Sequence, residues 1–487
     1  MAGTNQWAPR RARETALARV EERLAADPDC VELCFARAFL LSVLGRTEEA
    51  RLAYVKVLSL APAHFAALNN LGTLLYEGGS RSAARNAFAD AAARHPENPI
   101  AHVNLATLLL ECCDYAGARE HYETALRLDP AHSEAHQGLS VALTELGDEQ
   151  GALRHRRIGF ESRALTALPY RGTGAPVVVL LLGSAAGGNV PFRRLLDDRV
   201  FLTIVATVEY CGAQTPLPPH HLVFNAIGDA DRSSSAITAA AKLLERTGRP
   251  VVNRPAAVLE TGRVHTACRM SGLPGVRAPA TMLFPREALA GADGPELLAQ
   301  NGFHFPLLLR TPGFHTGRHF WFVPCAEALW PLLSQLPGRE QMAIEYLDAS
   351  DANGSVRKYR AIIVGDRLYP LHLAIASDWK VHYFSSEMAS RPDYRTEEAA
   401  FLEDMPGVLG ARAMAALDGI RQRLGLDFGG MDFGMNAAGE VLLFEANATM
   451  AVNPPEPEEL WNYRRAAVTR ICDAMRIMLL AKAAQAL

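Results

Sequence analysis

The chain has 487 residues, nearly half of them hydrophobic and 21% charged, which is apolar enough to core about two to four domains. Lysine and arginine number 49 against 53 aspartates and glutamates. The resulting net charge of -4 excludes the basic footprint of a nucleic-acid binder.

Eight cysteines (Cys30, Cys34, Cys112, Cys113, Cys211, Cys268, Cys325 and Cys472) include no CxxC pair and no zinc spacing, so they read as free thiols of a reducing compartment. No segment reaches the ~20 apolar residues of a membrane helix. The N-terminal residues carry basic side chains with no apolar stretch after them, unlike a secretory signal. The expectation is a cytoplasmic protein that uses neither membrane nor nucleic acid.

The first third is periodic. Pro28, Pro62, Pro96 and Pro130 fall at one step of 34 residues, and Ala16, Ala50, Ala84, Ala118 and Ala152 keep that step. Val20, Tyr54, Phe88 and Tyr122 follow it too, with Arg156 breaking the aromatic series. Gly45, Gly79 and Gly147 mark one turn, with Cys113 at the equivalent place. This pattern resembles tetratricopeptide repeats, paired helices of that period. It predicts an all-α solenoid over residues 11–165: a half-repeat from about residue 11, then four repeats beginning near Val31, Phe65, Pro99 and Ser133. Asn69, Asn70, His102, Asn104, His136 and Gln137 would line a concave face for a protein or peptide partner, or else form a solvated surface.

Residues 166–176, within "TALPYRGTGAP", have the punctuation of a linker. The strand-like "VVVLLL" follows, then "GSAAGGNVPF", whose Gly183, Gly187 and Gly188 suit a turn as well as an anion loop. A helix is expected from Pro191. Strands and helices then alternate through "HLVFNAIGDADRSS" and "AITAAAKLLERTG", which favours a mostly parallel sheet.

"GGMDFGMNAAGEVLLFEANATM", residues 429–450, reads as a hairpin. A turn at Ala437–Glu440 sets Asp432 opposite Glu445, a repulsive pairing. Strict alternation puts Val441, Leu443, Glu445 and Asn447 on one face. With "VVNRPAAVLETGRVHTACRMSGLPGVRAPATM", "FHFPLLLRTPGFHTGRHFWFV", "QMAIEYLDASD" and "SVRKYRAIIVGDRLYP" before it, the hairpin completes an order of motifs that resembles the ATP-grasp superfamily. That fold includes D-alanine–D-alanine ligase, glutathione synthetase and the ribosomal-protein glutamate ligase. The resemblance implies a multi-domain chain: the repeat solenoid, a pre-ATP-grasp α/β domain at 177–253, and an α/β ATP-grasp domain at 254–485.

Its further implications are specific. Asp432, Glu445 and Asn447 would hold Mg²⁺ or Mn²⁺ that bridges ATP phosphates. Arg263 and Arg310 stand where the family usually has phosphate-binding lysines. Gly313, His315, Thr316 and Gly317 resemble the loop over the γ-phosphate, and backbone groups of Glu345 and Leu347 would meet the purine. Asp351 matches a ribose-binding acid, although a turn Asp before "ANG" explains it equally well. Arg360 would be the catalytic guanidinium, on an acyl-phosphate or the substrate carboxylate. The implied activity is an ADP-forming carboxylate–amine or carboxylate–thiol ligase acting on a small molecule or on a peptide brought by the repeats, in a fold that often dimerises. Two alternatives stand beside it: an ATP-grasp phosphotransferase, and a repeat-based adaptor with a degenerate nucleotide site.

Overall fold

The computed structural model describes residues 10–161, 163–314, 317–381 and 386–485. It divides into two units along a discontinuous chain path. The first holds the residues up to Val178 together with Asp198–Gly212 and Pro454–Asn462; the second holds Val179–Asp197, Ala213–Asn453 and the chain from Tyr463.

The first unit opens with α1 (Arg10–Ala26), α2 (Val31–Val43), α3 (Thr47–Leu60), α4 (Phe65–Glu77) and α5 (Arg81–Arg94). It continues with α6 (Pro99–Glu111), α7 (Tyr115–Leu128), α8 (Ser133–Leu146) and α9 (Glu149–Glu161). The four repeats begin at the four residues named from the sequence. Each periodic proline follows a helix end closely, where its missing N–H and fixed φ block continuation. Between the helices of each pair the chain turns through a left-handed residue: Gly45, Gly79, Cys113 and Gly147 all have positive φ. Ala50, Ala84, Ala118 and Ala152 are buried, as are Tyr54, Phe88 and Tyr122. A second 34-step series was not drawn from the sequence: Ala38, Gly72, Ala106 and Ser140 put a small residue on each first helix. At Gly72 a Cβ would lie 2.6 Å from the Phe88 ring.

The polar residues assigned to a concave face are instead largely engaged inside the solenoid. Asn70 donates to the Tyr54 hydroxyl at 3.0 Å, Asn104 donates to Asn69, and Gln137 donates to the Gly159 carbonyl at 2.8 Å. His102 and His136 are buried. A buried amide or imidazole must find a partner within the fold, and the adjacent helix is the nearest supply.

Fourteen strands follow among the described residues: β1 (Leu165–Ala167), β2 (Val177–Gly183), β3 (Phe201–Thr207), β4 (Leu222–Asn225), β5 (Val251–Val252), β6 (Val276–Arg277), β7 (Thr281–Pro285), β8 (Leu307–Arg310), β9 (Phe320–Val323), β10 (Glu340–Glu345), β11 (Val356–Val364), β12 (Arg367–Ala376), β13 (Phe428–Met435) and β14 (Val441–Asn447). Within the first unit β1 pairs antiparallel with β3. Pro455 is buried there, its carbonyl 3.1 Å from where a Cβ on Gly79 would stand.

In the second unit β4 lies between β2 and β5, parallel to both, followed by the helix α10 (Ala230–Leu244). The helix expected from Pro191 does not form. Leu195 and Leu196 donate to the Phe192 carbonyl, closing a single turn that goes no further. The next sheet, ordered β7-β10-β8-β9, is antiparallel and is backed by an apolar core that includes Phe284, Leu298, Leu309 and Leu333. The last, ordered β12-β11-β13-β14-β6, is antiparallel except where β6 runs parallel to β14. This all-helical solenoid followed by an α/β region agrees with the architecture read from the sequence.

Gly138 lies in α8 where a Cβ would overlap the ring of Tyr122, which is 1% exposed and hydrogen-bonded to Thr107. Alanine normally gains about 1 kcal/mol over glycine inside a helix. Overpacking against a fixed ring should outweigh that gain, so Gly138→Ala is expected to lose about 1–2 kcal/mol in urea unfolding. Gly174→Ala, with nothing within 4 Å of the new methyl, should leave the midpoint unchanged.

Candidate functional site

The β13–β14 hairpin turns at Asn436, whose Oδ1 accepts from the N–H groups of Ala438 and Glu440, with Gly439 at positive φ. The register pairs Asp432 with Glu445, as the sequence predicts, but not through a turn at Ala437–Glu440: beside the turn Met435 opposes Val441, one residue off that register. Strict alternation along β14 fails, however. Pairing moves from Asp432–Glu445 to Phe433–Leu443, so Phe444 is the extra residue of a bulge. Glu445 and Asn447 therefore share the face of Asp432, while Val441 and Leu443 share the opposite face with Phe433. The two glycines before Asp432 suit a tight sheet, since a Cβ on Gly430 would stand 2.7 Å from the Ala361 carbonyl.

Each carboxylate on this face has cations aimed at it. β11 pairs Arg360 with Asp432, and the guanidinium makes a bidentate bridge of 2.5 and 2.7 Å. Lys358, two residues earlier on that strand, lies 3.4 Å from Asp432 Oδ2, the oxygen that Arg360 Nη2 also binds. Glu445 Oε1 accepts from Arg263 at 2.7 Å and from the Asn447 amide at 3.0 Å. Arg263, at the start of the helix Arg263–Met270, also bridges to Asp231 of α10 at 2.9 Å. Burial alone would raise the Asp432 carboxyl, but the Arg360 and Lys358 charges outweigh it and hold it far below the usual carboxylate range. Glu445 is likewise lowered, as Arg263 and Arg310 overcome its desolvation.

Arg310 on β8 differs from the others. It donates to the Phe314 carbonyl at 2.5 Å and lies 5.5 Å over the Phe320 ring, but bridges no carboxylate among the described residues. Desolvation and the neighbouring Arg263 push it down to about 10. A half-buried cation that no carboxylate bridges favours an anionic ligand.

Other residues singled out from the sequence take defined places. Gly313 and Gly317 have positive φ in the loop after β8; His315 and Thr316 lie outside the described residues. Lys380 ties that loop down through the carbonyls of Gly317 at 2.7 Å and Phe320 at 3.3 Å, while Trp379 packs on Phe320 and Phe322. Glu345 ends β10 with its N–H donated to Ala280 and its carboxylate on Arg277, so that N–H is already engaged. Leu347 is buried in an apolar cluster with Ala349, Val356, Ala374 and Leu442, and its own N–H makes no hydrogen bond among the described residues. Asp351 takes the turn role: it accepts from the N–H groups of Asn353 and Ser355, and its other oxygen binds Arg357.

The donor set suits a divalent cation shared with phosphate better than an all-protein cage. Magnesium commonly takes one or two carboxylates and completes its shell with phosphate and water oxygens. Asp432 and Glu445 provide two such groups, and Glu445 Oε2 makes no hydrogen bond among the described residues. Asn447 is less ready, because its Oδ1 accepts from both the N–H and the hydroxyl of Thr449 at 2.9 Å. Sequence reasoning omitted Asp231 and Lys358 from the site. The spacing of Lys358 to Arg360 placed both on one strand face, but no local pattern linked Asp231 to Arg263 across 32 residues.

Arg360→Leu would leave buried Asp432 with Lys358 alone, and the chain is expected to lose about 3 kcal/mol at pH 7. Asp432 titrates lower in the folded chain than in the unfolded one. Its stabilisation is therefore present above about pH 3.9 and is lost as pH falls below that value. Urea midpoints from pH 7 to 3 should show a shallower acid loss from Asp432 in the variant.

Tetratricopeptide-repeat family models match residues 31–64, 69–111 and 99–132. No curated protein matches the chain. Among solved structures, MamA protein is 21% identical over 31% of this chain and 82% of its own, with a TM-score of 0.29. MamA from Desulfovibrio magneticus RS-1 is 23% identical over 31% and 87%, with a TM-score of 0.29. YrrB, a repeat protein with an unusual peptide-binding site, is 18% identical over 31% and 79%, also at 0.29. Residues 31–132 of this chain are tetratricopeptide repeats.

Proposed function

We propose that the second unit is an ATP-grasp ligase that joins a carboxylate to an amine or thiol with release of ADP, and that the repeats recruit a peptide or protein. What carries the reading is the opposed pair Asp432 and Glu445 on one sheet face, flanked by Arg263, Arg360 and Lys358 and accompanied by the carboxylate-free Arg310. Magnesium, when bound, would convert the repulsion of the two carboxylates into coordination and neutralise the phosphates.

The chain's own groups would do the rest. Arg310 and Arg263 would take phosphate oxygens, with Asp231 keeping the Arg263 fork in plane. Arg360, held by Asp432, would face the charge that builds on the activated carboxylate. The apolar cluster that includes Leu347 and Leu442 would back a purine, whose edge the Leu347 N–H would meet. Lys380 would keep the glycine loop over the phosphates and exclude water. Catalysis of this kind is chiefly positioning and charge neutralisation.

A second reading, a repeat-based adaptor with a degenerate nucleotide site, is favoured by one observation. Both oxygens of Asp432 and one of Glu445 are already bridged by arginine. Calorimetry with a non-hydrolysable ATP analogue separates the two. Binding that requires Mg²⁺ and weakens at least about tenfold in Glu445→Gln is expected for the ligase. No binding to the unsubstituted chain would sink it and leave the adaptor.

A further inference from the structure

Four histidines of the repeats form two identical couples. His102 of α6 faces His121 of α7 with Nδ1 atoms 3.1 Å apart, and His136 of α8 faces His155 of α9 at 2.8 Å. Within each couple Nε2 of the buried partner, His102 or His136, lies 3.0 Å from a proline carbonyl, Pro96 or Pro130. A carbonyl only accepts, so that Nε2 must carry hydrogen, and in the neutral ring the facing Nδ1 is a bare lone pair. His121 and His155 must therefore supply Nδ1–H. The outer rings are half-buried, and their Nε2 atoms make no hydrogen bond among the described residues.

Ring centroids lie 5.4 and 5.0 Å apart with interplanar angles of 25° and 29°. Those separations exceed the N–N distances by about two ring radii, so the facing nitrogens sit on the line between the rings. That geometry suits one proton between two nitrogens. An ion at the usual metal–imidazole distance of about 2.0–2.1 Å from each would force them to about 4 Å on that line.

We propose that the two imidazole couples are acid-sensitive latches fastening the paired helices of the third and fourth repeats. A neutral couple has one N–H···N bond; a proton added to an outer Nε2 keeps that bond but puts charge on a ring where burial and the facing imidazole oppose it, which costs the folded chain stability. A second proton would set two N–H groups head to head and part the rings. The charges around the first couple are Glu120 and Asp114 on α7 and its N-cap, and His102 from α6; around the second they are Arg154 on α9, Asp148 at its start, Glu123 from α7 and His136 from α8. Burial first, then the facing imidazole, pushes both outer histidines below the ordinary range. The unfolded chain therefore binds more protons than the folded one below about pH 6.5, and stability falls with pH through that window. Each excluded proton raises the unfolding equilibrium constant up to about tenfold per pH unit.

Two measurements on the full chain test this. In histidine-labelled unsubstituted protein at pH 7.5, ¹⁵N spectra should show His121 and His155 as Nδ1–H tautomers; the Nε2–H tautomer would overturn the assignment. In thermal unfolding from pH 7.5 to 5.5, the helical transition should fall steeply, with a flatter dependence in the His121→Gln/His155→Gln variant. Equal slopes would overturn the latch. So would stabilisation by zinc that the variant loses, since it would make the couples metal ligands.

Discussion

Two like charges facing each other across a buried hairpin set the terms for the second unit. Asp432 is only 4% exposed and Glu445 stands opposite it, so each must be matched by a cation or give up its charge. Matching draws on elements far apart in the chain: β11 for Arg360 and Lys358, a helix start for Arg263, and α10 for Asp231, which holds Arg263 in turn. Strand order is bound to this arrangement, because β11 must adjoin β13 for Arg360 to reach Asp432. Such networks are weak stabilisers but strict selectors of register, since a one-residue slip would leave buried charges unmatched.

The repeats obey a different constraint, that of close approach. Small residues on the first helix and a buried ring on the second recur at every step, until Arg156 replaces the aromatic and closes the series. Polar side chains drawn into these contacts are satisfied by neighbouring helices. Recognition by the array would therefore depend on side chains other than the asparagines that the sequence pattern brings forward.

Much of this was legible beforehand because it rests on periodicity. A period of 34 residues, sampled at several positions, located the starts of four helix pairs, whereas the turn read from the sequence opposed Asp432 to Glu445 only because the bulge offsets a one-residue difference beside the turn. The bulge at Phe444 was not legible, since an extra residue in a strand leaves no mark in an apolar run. The Arg263–Asp231 bridge escaped for another reason: contacts across distant elements have no local spacing. At Asp351 the sequence allowed a turn or a ribose contact, and only the hydrogen bonds from Asn353, Ser355 and Arg357 distinguish the geometry.

The first unit is not one stretch of chain. It includes Pro454–Asn462, whose Pro455 lies against Gly79 and whose Glu456 accepts from the Arg81 N–H at the start of α5. A ribosome releases the helices early, and solenoids can nucleate locally as they emerge. This one stays incomplete until synthesis has passed both carboxylates of the hairpin. A fragment cut at the end of α9 would expose the Gly79 edge and leave α5 without the carboxylate of Glu456. The repeats, first to be made, thus receive their last piece only near the end of synthesis, just before the second unit receives its own from Tyr463 onward.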